Sequence, residues 1–343
     1  MQETSTYFGG GNTEVGFVNY FPTLVGKTDR LYILKGGCGC GKNSLMKRVA
    51  EAAEDKGFKV ERILCASDPN SLDGVLIPEK GVGIIDGTPP HELSPRLAGA
   101  MDNLVDLGEY WDNTRLRKKL GEIKALTTEK KACYDRAYGM LSAKGRLRRE
   151  RQSLTEKALL YSKLKAAAGR YADKLCKGSD APKARLCPLY AFCGEGERAA
   201  ITENAELWQL EDGYGIASLF LAALVKALSE RGASFAYSPD ATAAGALSAI
   251  RADKSGVLIA RAEKASPRHV INMERFIDKA ILASYRQRLR FLAKAEGVLK
   301  ENARLSLAEA REKHLALEEI YTPCMDFTRV NKRAKQLIKE MLA

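Results

Sequence analysis

Apolar and polar positions change period along this chain, and the changes mark out its elements. Leu31-Tyr32-Ile33-Leu34 is an unbroken apolar run of strand length. After it, Leu45, Met46, Val49, Ala50 and Ala53 recur at helical spacing until Gly57. Strand, glycine-rich turn and helix are therefore predicted in that order. Gly81-Val82-Gly83-Ile84-Ile85-Asp86 predicts a second buried strand ending in a carboxylate. The pattern then lengthens. Leu147, Leu154, Tyr161, Ala168 and Leu175 lie seven apart, with Ala158, Leu164 and Tyr171 on the intervening turns, while Leu116, Leu120 and Ile123 open an earlier helix. Gly139 and Gly145 mark expected bends, so a helical hairpin projecting from an α/β core is predicted.

The polar stretch from Gly178 through Pro188 is the clearest boundary, and beyond it the pattern restarts. Leu207–Leu210 reads as a strand, Asp212-Gly213-Tyr214-Gly215 as a turn, Leu219–Leu228 as a helix ended by Gly232, Ser255–Ala260 as a strand, and Arg275–Tyr321 as helical. A shift of 176 lays Gly213 on Gly37, Gly215 on Gly39, Leu221 on Leu45 and Ser218 on Lys42. A shift of 175 lays Val257 on Val82 and puts Ala260 near Asp86. The expected fold is α/β, with duplicated P-loop NTPase-like parallel sheet units, each followed by a long helical hairpin. One half is 1–177, with a basic helical insertion at about 113–177; the other is 178–343, with a degenerate loop and long C-terminal helices.

The turn after the first strand carries the chemistry. Gly36-Gly37-Cys38-Gly39-Cys40-Gly41-Lys42-Asn43-Ser44 has the phosphate-loop spacing of Gly, four residues and Gly-Lys, with Asn43 where a magnesium-binding hydroxyl is the rule. Glycines let consecutive amides turn toward phosphate oxygens, the helix start adds partial positive charge, and Lys42 would reach the β and γ phosphates. Asp86 would hold magnesium directly or through water, or else cap the turn Gly87-Thr88-Pro89-Pro90. The Asn43 amide oxygen or the Ser44 hydroxyl would complete the metal's ligands. ATP or GTP with Mg2+ is thus the expected ligand set. Candidates to position water are Asp68, Asp73, Glu79, His91 and Glu92, of which Asp68 and Asp73 also suit turn capping.

Composition narrows the picture. In 343 residues, 45% apolar and 29% charged, no apolar run reaches membrane-spanning length, and Met1–Thr6 lacks the features of a signal peptide, so a cytoplasmic setting is expected. The net charge is +12, and residues 115–177 alone hold nineteen Lys or Arg against six Asp or Glu. That excess fits an acidic partner or nucleic acid, or a solvated basic helix. The eight cysteines show neither zinc-ribbon nor disulfide spacing and read as reduced thiols. A nucleotide or small-molecule kinase shares the loop and would use the basic segment as its lid.

Several longer strings resemble a family of bacterial P-loop ATP-binding proteins built from two fused P-loop halves. They are Ile33–Gly37, Asp68–Val75, Ile77–Glu79, Asp86-Gly87-Thr88 with Pro90-His91, Asp106–Trp111 and, near the end, Leu317–Tyr321 with Met325–Phe327. The resemblance implies ATP binding without specifying a reaction or substrate. The chain departs from the family at Asn43, where members usually carry Ser or Thr, and at Ser218, where their second half often keeps a loop lysine.

Overall fold

The computed structural model describes residues 5–176, 183–201, 206–261 and 267–343. The first four residues and residues 178–182 of the boundary read at 178–188 lie outside these.

Two six-stranded sheets dominate the fold. In chain order the first contains β1 (Ser5–Phe8), β2 (Arg30–Lys35), β3 (Glu61–Leu64), β4 (Leu72–Ile77), β5 (Val82–Asp86) and β6 (Asp102–Asp106). The second contains β7 (Ala184–Leu186), β8 (Glu206–Glu211), β9 (Phe235–Pro239), β10 (Leu247–Ala252), β11 (Val257–Ala260) and β12 (His269–Asn272). The spatial order β1-β3-β4-β5-β2-β6 is repeated as β7-β9-β10-β11-β8-β12. Both sheets are mixed, which corrects the parallel units expected from sequence. β4 runs antiparallel to β3 and β5, and β10 antiparallel to β9 and β11, while the other neighbours are parallel. The physical reason is connection length: the links on either side of β4 are too short for the helical crossover that parallel neighbours need.

The helix after β2, α1 (Lys42–Asp55), matches its predicted span, and its counterpart is α4 (Ala217–Glu230) after β8. The long helices are α2 (Leu120–Glu156), followed by α3 (Tyr161–Leu175), and α5 (Arg286–Tyr321), followed by α6 (Phe327–Leu342). Gly139 and Gly145 do not bend α2, which runs unbroken past both. Gly145 instead admits the buried carboxylate of Glu14, which a Cβ would strike. The expected hairpin partner also differs, since α2 packs antiparallel against α5 of the other half. Ion pairs Arg151–Glu296 at 2.6 Å, Lys313–Glu129 at 2.6 Å and Arg136–Glu309 cross that seam. Part of the basic excess therefore faces acids of this same chain.

The tails cross over. Met325, between α5 and α6, forms a bridge with Trp111, and Leu159, between α2 and α3, forms one with Ile277. Val330, Ala334, Leu337 and Met341 of α6 consequently join Leu45, Met46, Val49 and Ala53 of α1 in one core. In the other half Leu164, Ala168, Tyr171 and Leu175 of α3 pack with Phe220, Leu221 and Leu224 of α4. Each sheet's outer layer is thus completed by the helix that follows the other half's long helix. A central cluster joins the inner faces, Leu31, Ile33 and Ile85 of the first sheet with Leu207, Ala249 and Leu258 of the second, to Ala137, Leu141, Ala303 and Leu307 of α2 and α5. Burial on both faces explains why β2 reads as a continuous apolar run.

Candidate functional site

The parallel pair β2 and β5 ends at one edge, with Leu34 opposite Asp86. Gly36, Gly39 and Gly41 carry φ of 138°, 67° and 90°, values that fold the chain into a tight loop before α1. Lys42 turns back over this loop. Its Nζ donates to the carbonyls of Gly36 at 2.7 Å and Gly37 at 2.9 Å and lies 3.6 Å from Asp86 Oδ2. Asp86 also caps the turn, its Oδ1 accepting from the Thr88 amide at 2.8 Å and hydroxyl at 2.6 Å. The turn role read for Asp86 thus falls on Oδ1, and its Oδ2 faces Lys42. Burial pushes the Asp86 carboxyl above its ordinary pKa, against the opposing pull of Lys42.

Asn43 faces away from that pair. Its Oδ1 accepts from the Leu72 amide at 3.0 Å and its Nδ2 donates to Ser71 Oγ at 3.3 Å, which ties α1 to β4. Ser218 does the same in the second half, accepting from the Leu247 amide at 2.9 Å. Asn43 and Ser218 are thus equivalent anchors, and Ala217 rather than Ser218 stands in place of Lys42. Ser44 is exposed and lines a cavity of about 220 Å3 with Gly41, Arg48, Phe327, Val330 and Asn331, between α1 and α6. The structure brings Lys42 and Asp86 together and places Asn43 and Ser44 in other contacts.

A comparison of the two halves tests the loop internally. Strand registers equate Gly36 with Asp212, Cys65 with Asp240, Asp73 with Ser248, and Asp86 with Arg261 rather than Ala260. Asp212 folds its carboxylate onto the start of α4, accepting from the amides of Gly215 at 2.8 Å, Ile216 at 3.0 Å and Ala217 at 2.8 Å. An anion of the chain's own thus fills the second loop. Arg261 ion-pairs with Asp240, so a cation of the chain's own stands at the strand ends there. In the first half Gly36 stands where Asp212 is and the N-cap of α1 is Gly41, so neither supplies a capping side chain; the Glu318 carboxylate reaches the Gly39 amide instead.

A roof from the C-terminal end of α5, the residue after it and Trp111 covers the first loop. Trp111 and Tyr321, with ring centres 5.4 Å apart, lie over Gly37, and Thr322 lies over Gly39. Cys38 Sγ is 3.5 Å from His314 Nδ1, and His314 Nε2 is 3.6 Å from Glu318 Oε1. The Cys38 hydrogen bond, followed by that of Glu318, lifts the His314 imidazole to about 9. Burial pushes the Cys38 thiol up, but the hydrogen bond and charge of His314 help bring it below its ordinary value. Glu318 is lowered by His314 first and then, among smaller effects, by the Gly39 amide.

Next to Asp86 on the strand-end row lie Asp73 and His91, both buried, with His91 Nε2 2.9 Å from Asp73 Oδ2. Burial works against the His91 cation, yet Asp73 holds its pKa above the usual value. Cys65 completes this group, its thiol raised by burial and then by Asp73. Asp68 binds Ser71 Oγ at 2.8 Å and Arg311 at 3.0 Å, the turn role read for it. Glu79 accepts from the Lys59 amide at 3.2 Å, away from the loop. Sequence reasoning missed Cys65, His314, Glu318 and Arg261, since each reaches its place through tertiary register. Comparison with protein-family models, curated proteins and solved structures gives no match.

Proposed function

We propose that the first glycine loop binds the phosphates of a nucleoside triphosphate, ATP or GTP, and that the chain hydrolyses it slowly at this one site. One observation carries the reading. At the matching place in the second half the chain sets a carboxylate on three amides, whereas Gly36 stands in place of that aspartate in the first half and Lys42 is added beside the loop. A helix N-terminus with converging amides favours an anion. Asp86, 3.6 Å from the lysine, is the group to hold Mg2+ against that anion. With Asn43 committed to β4, the metal lacks the usual loop hydroxyl, which argues for slow turnover. Phosphate access requires the roof of Thr322, Tyr321 and Glu318 to shift from the loop.

Titration of the full chain with fluorescent ATP and GTP, with and without Mg2+, tests this. Binding is expected, and Lys42→Ala should weaken it at least about tenfold, the loss of a charge-assisted contact. Equal affinity of wild type and variant would remove the loop from consideration.

A further inference from the structure

We propose that Cys65, Asp73 and His91 bind a thiophilic divalent cation of the zinc class at the strand ends beside the glycine loop. Their ligand atoms, a thiol sulfur, a carboxylate oxygen and an imidazole nitrogen, all lie within 4.8 Å of one another. Tetrahedral zinc at about 2.0–2.3 Å from such donors would need a modest side-chain adjustment, the His91 Nε2 and Asp73 Oδ2 atoms, 2.9 Å apart, parting slightly to admit the ion.

Three independent features of the group support a cation. Asp73 and His91 are only 5% and 6% exposed, so their polar atoms are cut off from solvent. Although His91 Nε2 and Asp73 Oδ2 lie 2.9 Å apart, Asp73 Oδ2 has no aligned hydrogen bond, and buried His91 Nδ1 has no partner. A buried polar atom without a partner costs about 1–3 kcal/mol, and a metal bound between Asp73 Oδ2 and His91 Nε2 would relieve the carboxylate oxygen. The edges of Phe17 and Phe21 hold the His91 ring, at centroid distances of 4.9 and 5.5 Å, which fixes its orientation as a ligand requires.

The other half shows that the fold does not need these donors. Ser248 stands in the place of Asp73 and Asp240 in the place of Cys65, and Arg261 supplies positive charge to Asp240. Where one half carries a guanidinium, the other gathers a thiol and two carboxylates, those of Asp73 and Asp86. A set of sulfur, nitrogen and oxygen selects zinc-class ions over Mg2+, which takes oxygen ligands. Binding would displace the thiol proton and the proton on the His91 nitrogen that faces Asp73. Three protein donors leave a fourth position for water or a ligand atom.

This inference stands apart from nucleotide binding, and its test does not use it. Full-length protein stripped with chelator is titrated with Co2+ and followed by absorption. One equivalent is expected, with a thiolate-to-cobalt charge-transfer band that Zn2+ bleaches. The band should vanish in Cys65→Ser and persist in Cys38→Ser, which separates this group from the thiol of the loop. Asp73→Asn and His91→Gln should each weaken retention at least about tenfold. A wild-type protein with no charge-transfer band, or a band that survives Cys65→Ser, would overturn the proposal.

Discussion

At the scale of single residues, the contact between Cys38 and His314 makes a chemical statement that can be measured. The imidazole, lifted to about 9, stays cationic through neutral pH, and the thiol beside it is held below its ordinary value. The Cys38 thiol should therefore ionise at lower pH than a thiol without such a partner. Iodoacetamide labelling followed by mass spectrometry should show Cys38 reacting faster at pH 7 than buried Cys133 or Cys187. In His314→Gln the midpoint of reactivity should rise toward the free-thiol value of about 8.5. Identical pH profiles for the two proteins would dismiss the pairing. The sign for stability follows from the same group: a raised histidine pKa contributes fully below about 6.5, and the contribution disappears as pH rises through about 9.

At the scale of elements, the strand–loop–helix unit was legible because an unbroken apolar run gives way to an apolar stripe of period 3.6 within a few residues. Apolar Leu31–Leu34 and the α1 stripe Leu45, Met46, Val49, Ala50 and Ala53 are local facts, and both occur as read. The antiparallel placement of β4 is not read from the sequence, because residues 72–77 are not recognised there as a strand and the short links that set its direction therefore go unused. The second loop was misread by one position, since it is one residue shorter than the first; strands match at a shift of 176 and helices at 175. That deletion moves Ala217 onto Lys42 and hides Asp212 as a capping group. Asp212→Ala should cost about 1–2 kcal/mol, read as a lower urea midpoint at unchanged slope. An unaltered midpoint would mean that the three amides find other acceptors. Gly145 offers a second check on α2. Ala there would press on the buried Glu14 carboxylate and should cost about 1–3 kcal/mol, despite the better helix propensity of alanine.

At the scale of the whole molecule, the halves are joined by exchange rather than by simple contact. Nothing in the stripe of α6 names its partner, because Val330, Ala334, Leu337 and Met341 would suit the apolar face of either sheet. The sequence reading of two successive units followed by hairpins therefore captured the repeat of elements and not their wiring. The wiring predicts where damage travels. Removal of residues 327–342 should expose the first-half core around α1 more than the second-half core around α4. Hydrogen exchange would show faster turnover at 42–55 than at 217–230 in the truncated chain. Equal protection would contradict the exchange. No helix among the described residues is long and apolar enough to cross a membrane.

The crossed tails also order events in time. While the chain emerges from the ribosome, the lysine-bearing half has its strands early but lacks its covering helix until residues 327–342 have been synthesised. The second half meets no such delay, since α3 precedes its sheet and waits for it. The glycine loop therefore gains its finished surroundings only when translation has passed the last of these residues.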